Sequence, residues 1–475
     1  MVDTPRENAP DQPKLPVPYD QYREAVKETQ SDALAGDIEK NTGSFSTLNE
    51  AHLLATGPET FRNIEADMLA AKKSIKINIF SWAPDSTGVR LAEVLMDVHK
   101  KNPSVKMEIR ADKLGSLLVG AKDELKSKMT GLAGLRLLAS LSSYPNLNIG
   151  MIKDLQDDPG KIHTFSAQAK QELEAFMRAA ATPELLLELN SPLKQMKDAG
   201  INVVIEDNGL ARMDHSKIFI IDDSTVYGGG MNVGDDYSGG YEPGKGWTAK
   251  KADYWKDYMV KMQGPASDIN RHLFFGENEF TPDKKSPAST LSPVCVLHNS
   301  GGEVPEGTSK EDEAKMKQIT YATYKLIDSA KSEINIEHAY IMDQQVVDKL
   351  KARAAAGVKV TILRSKPESR GLEAVNEKFF SQLAGVRNIV IYNLPRISHT
   401  KLLTVDGKYS IVGSANLSRE SLHYHEEVSF MVTGDNDLQK EIRRQFTDIA
   451  GVARVYSQRR AQILAGNKGS GKNKG

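Results

Sequence analysis

The chain repeats one pattern of residues twice, far apart, and that repeat limits the folds open to it more than any other feature. The first copy reads Asp214-His215-Ser216-Lys217-Ile-Phe-Ile-Ile-Asp222, then Gly229-Gly230-Met231-Asn232. The second reads Ser398-His399-Thr400-Lys401-Leu-Leu-Thr-Val-Asp406, then Gly413-Ser414-Ala415-Asn416. Spacing is identical in both. The same order of apolar periodicities precedes each copy: helix over 60–73, strand over 74–80, helix over 88–101 and strand over 105–110 in the first, and 311–331, 333–340, 344–356 and 357–363 in the second. Strands alternating with helices of this length predict an α/β layered fold, and duplication of one α/β unit is the economical reading of the repeat.

Composition shifts set the expected boundaries. Residues 1–45 read as a Pro-rich lead and 46–277 as the first domain. Residues 278–307, rich in Pro, Ser, Gly and Lys and without periodicity, read as a linker. Residues 308–457 read as the second domain, and 458–475 as a basic flexible tail. The first domain carries an extra helical segment, 114–193, in which Thr164 is a candidate cap before Phe165, Leu173, Phe176 and Met177. Two readings of it stay open: a helical insertion packed on the core, or a lid or lipid-facing surface marked by Leu132, Leu135, Leu137, Leu138 and Leu141.

With 62 Lys+Arg against 63 Asp+Glu in 475 residues, overall charge supplies no argument for a nucleic-acid partner. A 39% hydrophobic content fits a folded chain. Cys295, the single cysteine, excludes a disulfide framework within the chain and a cysteine-based zinc cluster. No apolar run approaches the ~18–20 residues that span a bilayer. The first twenty residues lack the charged and then apolar pattern of a secretory signal. The expectation is a soluble or peripheral membrane protein.

Alternation along a strand puts His215 with Lys217, and His399 with Lys401, on one face. The small pairs Gly229-Gly230 and Gly413-Ser414 would let backbone N–H groups approach a phosphate, and Asn232 and Asn416 would add amide donors. A phosphodiester repels anions and leaves as a poor alkoxide, so neutral imidazole suits attack and imidazolium suits proton donation. Two lysines and two asparagines would offset charge on the non-bridging oxygens, so this chemistry needs no metal and no cofactor. Each imidazole also needs an acceptor on its second nitrogen; Asp257 and Glu427 follow the motifs, with Glu426 competing for the second place. Asp222 and Asp406 are counted with the candidate catalytic residues, with pairing to a motif lysine or pinning the turn as the alternatives. His423 and His425, beside Glu427, stay ambiguous, a zinc site included. His52, His99, His163, His272, His298 and His338 read as surface or satisfied core residues.

At these residues the sequence resembles the phospholipase D superfamily, whose signature is His-x-Lys-x4-Asp-x6-Gly-[Gly/Ser/Thr]-x-Asn present twice. Both copies match every defining position, and the resemblance extends over most of residues 46–455, including Tyr254-Trp-Lys-Asp257 and Gln263-Gly-Pro265. Gly-Gly-Met-Asn-Val-Gly-Asp-Asp-Tyr and Gly-Ser-Ala-Asn-Leu are most similar to the bacterial cardiolipin synthase and phospholipase branch. The resemblance implies two duplicated α/β domains forming a pseudo-twofold pair, with both motifs at their interface. It implies a covalent phosphohistidine, with His215 attacking phosphorus and His399 acting as acid and base. It also implies a phosphodiesterase or phosphatidyltransferase acting on phospholipid head groups in peripheral contact with a membrane. A nuclease of the same mechanism is the alternative. Segment 114–193 and the lack of spanning helices depart from the family's compact core and its membrane-embedded synthases.

Overall fold

The computed structural model describes residues 32–126, 146, 166–179, 182–209, 212–249, 253–277, 291–366 and 372–455. One sheet of fifteen strands runs through these residues. From one edge its strands are Asn202–Glu206, Lys106–Asp112, Ser74–Ile79, Lys217–Ile221, Thr225–Gly229, Met259–Gln263 and Ser46–Leu54. It continues through Leu291–Asn299, Glu427–Thr433, Tyr409–Gly413, Lys401–Val405, Glu333–His338, Lys359–Arg364, Ile389–Asn393 and Arg454–Val455. Apart from the last short strand, the order reads the same from either end, so a pseudo-twofold axis passes between Ser46–Leu54 and Leu291–Asn299. Those two strands pair antiparallel, with Ser46 opposite Cys295.

The elements follow from local chemistry. Ser74–Ile79 is buried on both faces and pairs parallel with Lys106–Asp112, as a β-branched strand under helices should. The helix Ser86–Lys101 starts at Asp85, whose carboxylate accepts from the Thr87 and Gly88 N–H groups, and ends on His99, Lys100 and Lys101, which suit its dipole. Its counterpart Gln344–Ala355 is capped by Asp343. Each half has its own apolar core, and a third core joins them through Ile218, Ile220 and Val226 on one side and Leu402, Val412, Val428 and Phe430 on the other. Fully burying a side chain of this size contributes about 1.5–3 kcal/mol, so the shared core holds the two halves as one body.

Several expectations need correction. The segment read as a linker contains the strand Leu291–Asn299, the pseudo-twofold mate of Ser46–Leu54. Pro293 disguised it. Proline lacks an N–H, and pairing to Glu427–Thr433 begins only at Val294, so the missing donor falls where one neighbour is absent. The lead is not featureless up to residue 45. Ala33–Thr42 is a helix capped by Asp32 and closed by Gly43 at φ 69°, and its buried Ile38 joins the second half's core. The helix expected over 311–331 is two, Lys310–Met316 and Gln318–Ser329, broken at Lys317, whose ammonium bonds the Ser300 and Gly302 carbonyls.

The described parts of the extra segment are helical: Lys113–Lys126, Ala167–Ala179, Pro183–Leu189 and Ser191–Asp198. Leu173, Phe176 and Leu186 are buried in the first core. Thr164, Phe165, His163, the leucines at 132–141 and the tail at 458–475 lie outside the described residues.

Candidate active site

The motif strands Lys217–Ile221 and Lys401–Val405 are buried along their length, and each motif histidine sits just before its strand at the interface between the halves. The backbone ties the two together reciprocally. The His215 N–H donates to the Glu426 carbonyl at 2.9 Å, and the His399 N–H donates to the Lys256 carbonyl at 2.7 Å. Side chains follow the same crossed rule. His215 Nδ1 lies 3.0 Å from Glu427 Oε1 and 3.2 Å from Oε2, while His399 Nδ1 lies 2.7 Å from Asp257 Oδ2. Each imidazole is therefore held by the carboxylate of the other half, a pairing that sequence order does not reveal. Glu427, not Glu426, takes the second place; Glu426 turns to His298, 3.1 Å away. An Nδ1–H donating to a carboxylate fixes the tautomer and leaves Nε2 as the acceptor nitrogen.

The lysines lie beside their histidines. Lys217 Nζ donates to the His215 carbonyl, and Lys401 Nζ donates to the His399 carbonyl while lying 2.8 and 3.1 Å from that ring's nitrogens. Burial pushes Lys217 down to about 7 and Lys401 down to about 8, against the opposing pull of the site's carboxylates. His399 is driven well below the usual imidazole range by burial, then by Lys401, His215 and Lys217. His215 is lowered by burial and by Lys217, against Glu427. Charges from both motifs act on both rings, as they must in a joint site.

The carboxylates differ. Burial pushes Asp257 up to about 6 in spite of Lys401. Burial would raise Glu427 too, yet His215, Lys217 and His425 hold it down to about 2. Ser414 contributes to the contrast, since its hydroxyl donates to Glu427.

Some assigned residues do other work. Asp222 and Asp406 sit at the far ends of the motif strands, both at φ 52°. Asp222 accepts the N–H groups of Lys72, Lys73 and Ser74 at 2.6–3.2 Å, and Asp406 those of Lys331, Ser332 and Glu333 at 2.8–3.0 Å. They pin turns at the ends of the strands remote from the histidines. The phosphate role of the small pairs is also corrected. The Gly230 and Ser414 N–H groups donate to the Tyr258 and Val428 carbonyls. A Cβ on Gly230 would lie 2.4 Å from Asp257 Oδ1, one on Gly229 2.3 Å from the Tyr258 carbonyl oxygen, and one on Gly413 2.3 Å from Ser429 Oγ. These residues are small because a strand and a carboxylate press on them. Asn232 accepts from the Ser81 N–H and donates its amide to the Tyr237 hydroxyl, so it braces the site wall; the Asn416 carbonyl oxygen is buried and unpartnered.

Other rings complete the site. Trp255 stacks on His399 at 5.5 Å and Tyr237 meets it edge-on at 5.4 Å; Phe80 meets His215 at 5.0 Å. His425 lies 6.1 Å from His215, whereas His423 turns away to Tyr324 and Asp343, so the two do not share a ligand. Among the described residues, no group of three or more His, Cys, Asp or Glu is arranged to hold a metal ion. Sequence reading missed Phe80, Tyr237 and the stacking of Trp255; the signal available was position, since Trp255 and His425 each stand two before a site carboxylate.

Comparison with known proteins finds similarity in sequence and in fold. A family model described as cardiolipin synthase, PLD-like domain, matches residues 324–450. The chain is 26% identical over 291 residues to a cardiolipin synthase of Geobacillus kaustophilus (strain HTA426), covering 57% of this chain and 54% of that protein. It is 30% identical over 254 residues to one of Staphylococcus aureus (strain Mu50 / ATCC 700699), covering 52% and 49%. The chain thus spans about half the length of the curated relatives it matches. In fold it is similar to the crystal structure of phosphatidylserine synthase of Haemophilus influenzae Rd KW20, with a TM-score of 0.56, 13% identity, and coverage of 91% of this chain and 96% of that one.

Proposed function

We propose that this chain is a phosphatidyltransferase of the phospholipase D superfamily, supported by the matching family model and the cardiolipin synthase relatives, and that it exchanges the head-group alcohol of a phospholipid at its two histidines. The observation that carries this reading is the crossed pair of dyads, His215–Glu427 and His399–Asp257. In the first step His215 Nε2 attacks phosphorus, the bond from phosphorus to the head-group oxygen breaks, and His399 gives its proton to the departing alkoxide. In the second step an incoming alcohol returns a proton to His399 as its oxygen attacks phosphorus, and the P–N bond breaks to restore His215. Water in place of the alcohol gives hydrolysis.

Charge supports this assignment of roles. Glu427 is the more firmly ionised carboxylate, and a fixed anion on Nδ1–H makes the opposite nitrogen of His215 the better nucleophile. His399, surrounded by cations, holds its proton poorly until an anionic phosphodiester arrives, which ties its acidity to substrate binding. Lys217 and Lys401 offset the charge that develops on the non-bridging oxygens.

We propose that substrate is drawn from a lipid surface by peripheral contact, as the phospholipid chemistry of the reading requires. The test is incubation with phosphatidylglycerol and phosphatidylcholine vesicles in EDTA, followed by mass spectrometry. Cardiolipin with free glycerol, or released choline, is the expected result. No turnover of either lipid overturns the reading, and degradation of single-stranded DNA in its place would make the protein a nuclease.

A further inference from the structure

Beneath the His399–Asp257 dyad lies a charge pair that the proposed reaction does not use. Glu337, on the strand Glu333–His338, is fully buried. Its carboxylate accepts from Lys256 Nζ at 2.9 and 3.1 Å, from the Tyr258 hydroxyl at 3.0 Å and from the Ser398 hydroxyl at 3.0 Å. The Lys256 ammonium also lies 3.6 Å from the centre of the Tyr258 ring. Lys256 and Tyr258 flank Asp257, and Ser398 precedes His399. Every one of these donors is therefore a chain neighbour of a member of the dyad. The backbone closes the same ring, with the Lys256 N–H on the Ile397 carbonyl at 3.0 Å and the His399 N–H on the Lys256 carbonyl.

Stability does not explain such a pair, because desolvating two charges offsets their attraction. Nor does the fold demand it. The pseudo-twofold mate of Glu337 is the neutral Asn78, which donates to Asp214 at 2.6 Å, and the mate of Lys256 is Glu426, paired near the surface with His298. The pair belongs to the His399 half of the site alone.

We propose that Glu337 and Lys256 are positioning residues that lock Asp257 and His399, from opposite halves of the chain, into one acid–base unit. This rests on the reading above, in which His399 carries the proton. Lys256 also acts through its charge. The cations favouring ionised Asp257 are Lys401, Lys256 and Lys217, with His399 as its hydrogen-bond partner; His399 in turn faces Lys401, His215, Lys217 and Glu427, and Arg396 acts on Lys256. Glu337 keeps Lys256 charged inside the protein. With the pair gone, Asp257 loses one supporting cation and needs a higher pH to ionise.

The test is the double variant Glu337→Gln/Lys256→Met in the full chain, which leaves no unpaired buried charge. Turnover of phosphatidylglycerol and of bis(p-nitrophenyl) phosphate is followed across pH. At neutral pH, kcat should fall about tenfold with KM within about twofold, and the acidic limb of the kcat profile should move up by about half a unit or more. An unmoved limb, with kcat unchanged or falling only as the thermal midpoint falls, overturns the proposal. If the double variant does not fold, Lys256→Met alone is read against the same limb. If the wild-type protein turns over neither substrate, the proposed reaction is at fault, and the NMR titration of the His399 ring decides the inference. A displaced midpoint in the variant sustains it, and an identical one overturns it.

Discussion

His215 leans on a carboxylate that burial fails to protonate, whereas His399 leans on one that burial brings close to neutrality. The two half-sites share backbone plan, spacing and crossed hydrogen bonds, and they differ in what surrounds the acid. Glu427 receives the Ser414 hydroxyl as well as the His215 ring, and lies near Lys217 and His425. Asp257 receives the Tyr258 N–H at 2.8 Å and faces Gly230, where no side chain fits. The lesson is that a duplicated motif is made asymmetric by its neighbours. Spacing makes His215 and His399 equivalent; the residues packed behind them do not.

Removing either ring tests the comparison most severely. His215→Ala and His399→Ala should each lower phosphatidyl transfer about a thousandfold or more, with circular dichroism unchanged. The two should then part. With an activated substrate whose leaving group needs no proton, His399→Ala should still accumulate an acid-labile, base-stable phosphoryl adduct on His215, and His215→Ala should accumulate none. Equal labelling of both variants would erase the distinction between nucleophile and acid.

The carboxylates come next, and their pH dependence runs in opposite directions. Glu427→Gln should cost about a hundredfold in kcat and Asp257→Asn less, because the firmer anion supports the nucleophile. A carboxyl lowered on folding adds stability that is complete above its unfolded value and lost as pH falls through its folded one. Glu427, lowered to about 2, is of this kind. Asp257, raised to about 6, contributes most below its unfolded value, and that contribution is lost as pH rises through about 6. Shifts of this size correspond to roughly 3 kcal/mol each. In urea unfolding from pH 6 down to pH 3.5, the gap between wild type and Glu427→Gln should shrink while that between wild type and Asp257→Asn grows. Parallel curves would mean that the two acids are alike.

Much of this was legible in the sequence. The alternation of Ile and polar residues at 74–79 and 333–338, and the repeated His-x-Lys, expose the α/β class and the duplication, while the meeting of both histidines at one interface followed only from the family resemblance. Three features escaped for physical reasons. Leu291–Asn299 hides behind Pro293, whose lost donor is harmless only because of which neighbour stops short. The crossing of Glu427 to His215 and Asp257 to His399 depends on how two halves dock, and no local spacing encodes that. The small residues Gly229, Gly230 and Gly413 look like a phosphate cradle but answer to close packing, because sequence shows that a side chain is missing and not what fills its place.

The motif aspartates give the smallest effect and the finest discrimination. Asp222 and Asp406 are held at φ 52°, each gathering three consecutive backbone N–H groups at the start of the neighbouring strand. Asp406 keeps its carboxyl below the ordinary range, since burial is outweighed by the Glu333, Ser332 and Lys331 N–H groups. Alanine there removes the acceptor and places a residue without a local hydrogen bond in a left-handed conformation, at a cost of about 1–3 kcal/mol. Asparagine tolerates that conformation and keeps one acceptor oxygen, so Asp222→Asn and Asp406→Asn should recover part of the loss. Because neither carboxylate reaches the histidines, kcat measured well below the thermal midpoint should stay within about twofold of wild type in all four variants. The two copies should nearly match, since both halves use the same three N–H contacts and Asp406 adds only the Ser332 hydroxyl at 2.8 Å. A large fall in kcat without loss of stability would return these aspartates to the chemistry, and unequal losses of stability would show that the halves diverge even at the turns.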